Sequence, residues 1–318
     1  MNQDSKAIMI LCSHLCVGEN MRPYEPAEWA KLAERLLNAK ITPSEFLSLN
    51  DDNLKSKLEF GQGEIERMNR LVERSGSIYF EIERYAGMGI NIMTRADSCY
   101  PKALKQKLGK SCPPIFYYAG NPLLIEEKCV GFVGSRSISE DDEQFTIKTV
   151  TKCNNRGLVV VSGGAKGTDS VARDASIENG SSCMEFIVNS LVKRIKDKAA
   201  INAVLNNQLI MLSVAKPDAG FSTGMAMMRN KFIYSQSNGT VVVKSDYNTG
   251  GTWSGAVENL RSKRSATFCW DNPAYIGNTE LIRKGAIPID EEWDADICAY
   301  DAVAEPNKTS EQLSLFTV

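Results

Sequence analysis

No apolar run in this 318-residue sequence approaches the roughly 18 residues that cross a bilayer; segments such as 158–161 and 241–243 are only a few residues long. A membrane protein is therefore not expected. The opening MNQDSKAIMILC lacks the basic, apolar, small-residue order of a secretory signal, which points to the cytoplasm rather than an oxidising compartment. The nine cysteines are odd in number and contain no CxxC pair, so neither a disulfide framework nor a zinc knuckle is supported. Cys12, His14 and Cys16 are close together, but their neighbours Ile8, Ile10, Leu11 and Leu15 read as an ordinary packed segment, and no metal is expected. There is no G-x-x-x-x-G-K-[ST] and no G-x-G-x-x-G opening the first helix of the sheet region, which removes the Walker loop and the standard dinucleotide fingerprint. No cofactor is expected, and no internal repeat is evident.

What is present suffices for a Rossmann-sized core and a second module of about 100 residues. Residues 1–88 read as a small helical domain. Pro26 precedes Trp29, Leu32, Ala33, Leu36 and Leu37 at the spacing of an amphipathic helix, and Thr42-Pro43-Ser44-Glu45 starts another. A longer helix is expected from about Gly63, carrying Ile65, Met68 and Leu71, with Gly76 interrupting it. The sequence changes near Tyr100-Pro101, where Pro113-Pro114, Ile115 to Tyr118 and Gly120-Asn121 form a buried strand between turn signals. From residue 129, short apolar strands alternate with amphipathic helices: strands at 129–133, 158–161, 184–188, 209–213, 240–243 and 266–270, and helices at 141–155, 168–179 and 253–262. This pattern specifies a mostly parallel, doubly wound sheet covered on both faces, spanning residues 89–290. Residues 291–318 read as an acidic tail.

Three glycine-rich turns each follow one of these strands: Gly134-Ser135-Arg136, the segment from Ser162-Gly163-Gly164 through Lys166, and Gly250-Gly251-Thr252. In a doubly wound sheet all three fall at the carboxyl ends of strands, where ligands bind. Glycine lets main-chain N–H groups approach a phosphate, a following helix N-terminus favours the anion, and Arg136 and Lys166 add charge. The net charge of −2 conceals a polarity. Residues 216–266 hold seven basic residues against three acidic ones, whereas 271–318 hold ten acidic against three basic.

GSR, SGGAKGTDSVARDASIENG, MAMMRNKFIYSQSNGTVVVKSDYNTGGTWSGAVENLRSKR and GNTELIRKGAIPI, with the upstream PKALKQKLGKSCPPIFYYAGN, resemble in kind and order the DNA-processing A (DprA/Smf) family over roughly residues 90–290. The resemblance implies an extended Rossmann-like fold that dimerises, binds single-stranded DNA, protects strands and hands them to a RecA-like recombinase, without acting as an enzyme. Carried over by position, Arg136, Ser162, Gly163, Gly164 and Lys166 would hold phosphates, Arg229, Asn230 and Lys231 would extend the basic pocket, and Phe232 would either stack on a base or pack in the core. Of the two roles open to Asp169, orienting Lys166 or capping the helix near Ser170, the cap is favoured, and Lys263 and Arg264 read as solvated helix-end charges. The chain departs from the pattern at Arg173, where the family usually has a histidine, and over 189–208, a lysine-rich helical stretch in place of the usual turn.

Gln312-Leu313-Ser314-Leu315-Phe316 resembles the pentapeptide with which bacterial proteins dock on the replicative sliding clamp. Two rival readings remain. Gly250-Gly251-Thr252 with Glu258 is similar to the motif of nucleotide phosphoribohydrolases, which need a carboxylate beside the ribose. A nucleotide-binding sensor in a defence or stress system would need the same phosphate cradle.

Overall fold

The computed structural model describes residues 1–19 and 21–297. Six helices come first: α1 (Gln3–Cys12), α2 (Pro26–Asn38), α3 (Pro43–Phe46), α4 (Asp51–Leu58), α5 (Gln62–Glu73) and α6 (Ser75–Ala86). Their starts follow from local chemistry. Glu25 and Glu28 form a reciprocal box around Pro26, and Thr42 and Glu45 do the same ahead of α3. Trp29, Leu32 and Leu36 are buried as the spacing predicts, while Leu37, on the same predicted stripe, is exposed.

The expected interruption at Gly76 lies instead at Arg74, between α5 and α6, and Gly76 is helical. Arg74 is buried and donates to the carbonyls of Ile10 and Leu15, at and beyond the end of α1, at 2.8 and 2.6 Å. A charge-assisted tie to orphan helix-end carbonyls thus sets the break, rather than glycine's flexibility.

The sheet and its helices follow: β1 (Asn91–Thr94), α7 (Lys102–Leu108), β2 (Ile115–Gly120), β3 (Cys129–Val133), α8 (Glu140–Asn155), β4 (Val159–Ser162), α9 (Thr168–Glu178), β5 (Cys183–Phe186), α10 (Leu191–Arg194), α11 (Lys198–Leu205) and β6 (Leu209–Ser213). The chain then continues through α12 (Thr223–Gln236), β7 (Gly239–Val242), α13 (Gly250–Ser262), β8 (Ala266–Trp270), α14 (Ile276–Arg283) and β9 (Ile287–Ile289). The nine strands lie in the order β1-β2-β6-β5-β4-β3-β7-β8-β9, with β2 antiparallel to both neighbours and the remaining pairs parallel. This is the mostly parallel, doubly wound α/β architecture that the alternating pattern specifies.

Strand residues alternate between two apolar clusters: Val130, Phe132 and Val160 face one side with Phe145, Ala172 and the N-terminal helices, while Val133, Val159 and Val161 face the other with Phe232, Ala256 and Leu281. The N-terminal helices and the sheet share the first cluster without a break. Chain read as tail from residue 291 is packed as far as 297: Trp293 lies against Phe268 with ring centres 4.9 Å apart, and Ala295 and Ile297 are buried. The clamp-like pentapeptide lies outside the described residues. No helix among the described residues is long and apolar enough to cross a membrane.

The topology decides where the site is. From β3 the chain moves outward through β4, β5 and β6, then returns to place β7 on the other side of β3. The strand order therefore reverses between β3 and β7, and the crevice outside their carboxyl ends is where such sheets take ligands.

Candidate nucleic-acid interface

The three glycine turns follow β3, β4 and β7, three neighbouring strands, and they touch. Thr252 Oγ1 donates to the carbonyl of Gly134 at 2.9 Å, and the Thr168 N–H donates to Ser135 O at 3.2 Å. A side chain at Gly134 would collide with Thr168, so glycine is required there by close approach. The Asn230 amide donates to Gly251 O at 2.9 Å, and its oxygen accepts from Arg229 at 3.0 and 3.2 Å. Arg229 continues to Gly163 O at 3.0 Å and lies 3.9 Å from Asp169, whose carboxylate accepts from the N–H groups of Gly163 and Ala165 at 3.1 and 3.3 Å. One polar network thus joins the turns.

Several residues expected to meet ligand are consumed by this network or buried beside it. Ser162 is fully buried at the end of β4, Gly163 has both backbone groups occupied, and Arg229 and Asn230 hold turns together rather than line an open pocket. Gly163 leaves room only for the Arg229 side chain, which would lie 2.5 Å from an added Cβ. Asp169 caps the preceding turn and not its own helix, because α9 already begins at Thr168. Burial pushes its carboxyl up from the ordinary value, opposed by Arg229 and the two backbone donors.

Phe232 resolves to its core alternative. It is 4% exposed, with Phe116 and Phe186 ring centres each 5.5 Å away, and it cannot offer a face to a base. The basic stretch is also largely neutralised within the molecule. Lys231 and Arg264 both pair with Glu258, at 3.2 and 3.0 Å, and Lys244 pairs with Asp142 at 3.2 Å. Arg264, read as a solvated charge, is thus half of an ion pair. Burial alone would raise Asp142, but hydrogen bonds from Tyr275, Ser139 and Lys244 outweigh it and hold the carboxyl below its ordinary value.

Lys216, Arg261 and Lys263 of the stretch stay exposed, Lys263 as the solvated charge expected of it, and at the turns themselves Arg136 and Lys166 are exposed and have no hydrogen-bond or ion-pair partner among the described residues. The backbone of Arg136 lies against Gly167, so both belong to the contact between the first and second turns. The start of α13 meets the first glycine turn through Thr252 and Gly134. Thr249 makes no side-chain cap bond, the first turn holds no acidic residue, and Gly250 and Gly251 are exposed, leaving its N–H groups to solvent. By contrast α8, which follows the first turn, is closed by a Ser139–Asp142 box and carries four acidic residues in its first turn, so it repels an anion. Of the two helix starts, that of the 13-residue α13, on the side of Arg136 and Lys166, is the one whose charge suits an anion.

A sequence profile of the family described as DNA recombination-mediator protein A matches residues 91–298, more than half of the chain. The chain belongs to this family. Among curated relatives, the DNA processing protein DprA of Streptococcus pneumoniae is 29% identical over 155 residues, 48% of this chain and 54% of the relative. The Bacillus subtilis protein of that name is 25% identical over 216 residues, 67% of this chain and 71% of its own. The chain thus spans about half the length of the first relative and about 70% of the second. Among solved structures, S. pneumoniae DprA superposes with a TM-score of 0.60 at 22% identity, covering 87% of this chain and 98% of its own. Helicobacter pylori DNA processing protein A, in a structure that addresses its single-stranded DNA binding mode, superposes with a TM-score of 0.54 at 22% identity, covering 67% and 94%. At these identities the likeness is one of fold.

Within the DNA recombination-mediator protein A family pattern, the two departures of this chain prove to be one unit. Arg173 and Arg194, the latter from the atypical segment, each donate at 3.0 Å to Glu185, which is fully buried on β5. Two arginines thus share one carboxylate, and the Glu185 carboxylate lies 3.4 Å from where a Cβ on Gly164 would sit. Sequence reading passed over Glu185, although a carboxylate inside the apolar strand Cys183–Phe186 signals a buried partner. It also passed over Tyr247, an exposed aromatic three residues before the third turn.

Glu258, the carboxylate of the phosphoribohydrolase-like reading, does not sit at the glycine turn. Glu258 lies eight residues along α13 from Gly250, about 12 Å by helical rise, and is held by two cations.

Proposed function

We propose that this protein binds single-stranded DNA along the crevice, as a homodimer, and so protects strands and assists loading of a RecA-like recombinase. The observation that carries the reading is the pair Arg136 and Lys166, without a partner among the described residues, at a turn that meets an uncapped helix start. Sites of this kind bind a phosphate backbone with salt-dependent affinity and no demand for sequence. Family membership supports the same reading, as does the likeness to a protein whose single-stranded DNA binding has been studied structurally.

Fluorescence anisotropy with labelled single-stranded and duplex oligonucleotides over a salt series tests it. Single strands are expected to bind preferentially, with log affinity falling linearly in log salt. Binding of neither DNA at low salt, with capture of a mononucleotide or cyclic nucleotide instead, would favour the sensor reading.

The terminal pentapeptide carries a second proposal, docking on a sliding clamp through Leu313, Leu315 and Phe316 with Gln312 as the polar contact. Deleting residues 312–316 is expected to abolish clamp binding while leaving DNA affinity unchanged. Clamp binding that survives the deletion rules the motif out.

A further inference from the structure

We propose that Tyr247 is the surface on which a nucleobase stacks when a strand occupies this crevice. The inference rests on the single-strand reading and names a contact that reading lacked once Phe232 was found in the core. Tyr247 is 53% exposed and lies between β7 and α13, on the loop that leaves the switch point. Tyr247 is three positions before Gly250, so at most about 10 Å of extended backbone joins its Cα to the helix start whose N–H groups would hold a phosphate. A phosphate and its own or an adjacent base can therefore be engaged together.

The loop is anchored at its base. Lys244 pairs with Asp142 and lies over the Tyr275 ring at 4.9 Å. The Ser245 N–H donates to Asn278 Oδ1 at 2.9 Å, and the Asn278 amide donates in turn to the carbonyls of Val243 and Trp270, both at 2.9 Å. The ring itself is braced. It meets Trp253, which is 7% exposed, in a T-shaped contact with centroids 5.1 Å apart and planes at 79°. Such a pair engages one edge or one face of the tyrosine, and the measured exposure leaves another face to solvent. A ring with two side-chain torsions, one neighbour already against it and an anchored loop loses little entropy on stacking.

Phe221 is as exposed, at 53%, but sits after β6. Its segment leads into α12 and not into α13, and follows β6, which is not a neighbour of β3 or β7 in the sheet. It serves as the control.

The test compares the wild type, Tyr247→Ala, Tyr247→Trp and Phe221→Ala on a labelled single-stranded oligothymidylate and on an abasic strand of the same length, at one salt concentration. Tyr247→Ala is expected to lose roughly tenfold in affinity for the base-bearing strand, in the range of one stacked base. Its affinity for the abasic strand should stay at the wild-type value, Tyr247→Trp should retain binding, and Phe221→Ala should lose little. Equal losses by Tyr247→Ala on both strands, or no loss on either, overturn the stacking contact while the wild-type protein still binds DNA. A wild-type protein that binds neither strand overturns the single-strand reading and this inference with it.

Discussion

Replacing Arg136 and Lys166 together by alanine is expected to weaken single-stranded DNA binding by at least about tenfold, since a hydrogen bond to a charged group contributes about 1.5–3 kcal/mol. The log–log salt slope should fall in magnitude by about 1.4, because each phosphate contact on a single strand accounts for about 0.7. The same titration on Lys231→Ala and Lys244→Ala should leave the slope almost unchanged. Those lysines are closed in ion pairs with Glu258 and Asp142, whereas Arg136 and Lys166 have no partner among the described residues. Slopes that drop equally in all the variants would mean that the whole basic stretch meets DNA and that the internal pairs open on binding.

Arg229→Ala is expected to be the most damaging single change for stability, at about 3–5 kcal/mol near neutral pH, the scale for removing one partner of a buried ion pair. The side chain of Arg229 is 12% exposed and that of Asp169 6%, and the same guanidinium supports Gly163 O and Asn230. The loss should depend on pH. Burial already holds the Asp169 carboxyl above its ordinary value, with Arg229 the main opposing influence, so it rises further in the variant. A carboxyl whose folded value lies above its unfolded one favours the fold at low pH and loses that contribution as pH rises through the folded value. The deficit should therefore widen from acidic to neutral pH. Urea denaturation of both proteins at pH 5 and pH 8 measures it, and a deficit below about 1 kcal/mol, or one flat with pH, would contradict this account.

The strands at 209–213 and 266–270 and the helix after Ser139 follow directly from local patterning, because a buried parallel strand must be apolar and a helix start needs a capping side chain. The helical stretch read at 189–208 holds two short helices, α10 and α11, rather than one, whereas the long α12 gives no such signal. The first two are brief, and α12 has little amphipathic contrast because its N-terminal part is exposed while residues 232–236 are buried. The break at Arg74 was hidden for a different reason: it depends on carbonyls about 60 residues away.

The sequence by itself determined that three glycine turns follow three strands of a mostly parallel sheet, since each is a statement about a few adjacent residues. Tertiary structure alone decided which side chains around those turns remain free. Lys244 is neutralised by a residue 102 positions earlier, Arg229 is tied to a turn 66 positions earlier, and Phe232 is enclosed by rings from β2 and β5. A charged or aromatic residue type records what a side chain can do; its availability depends on what the fold brings within about 4 Å of it.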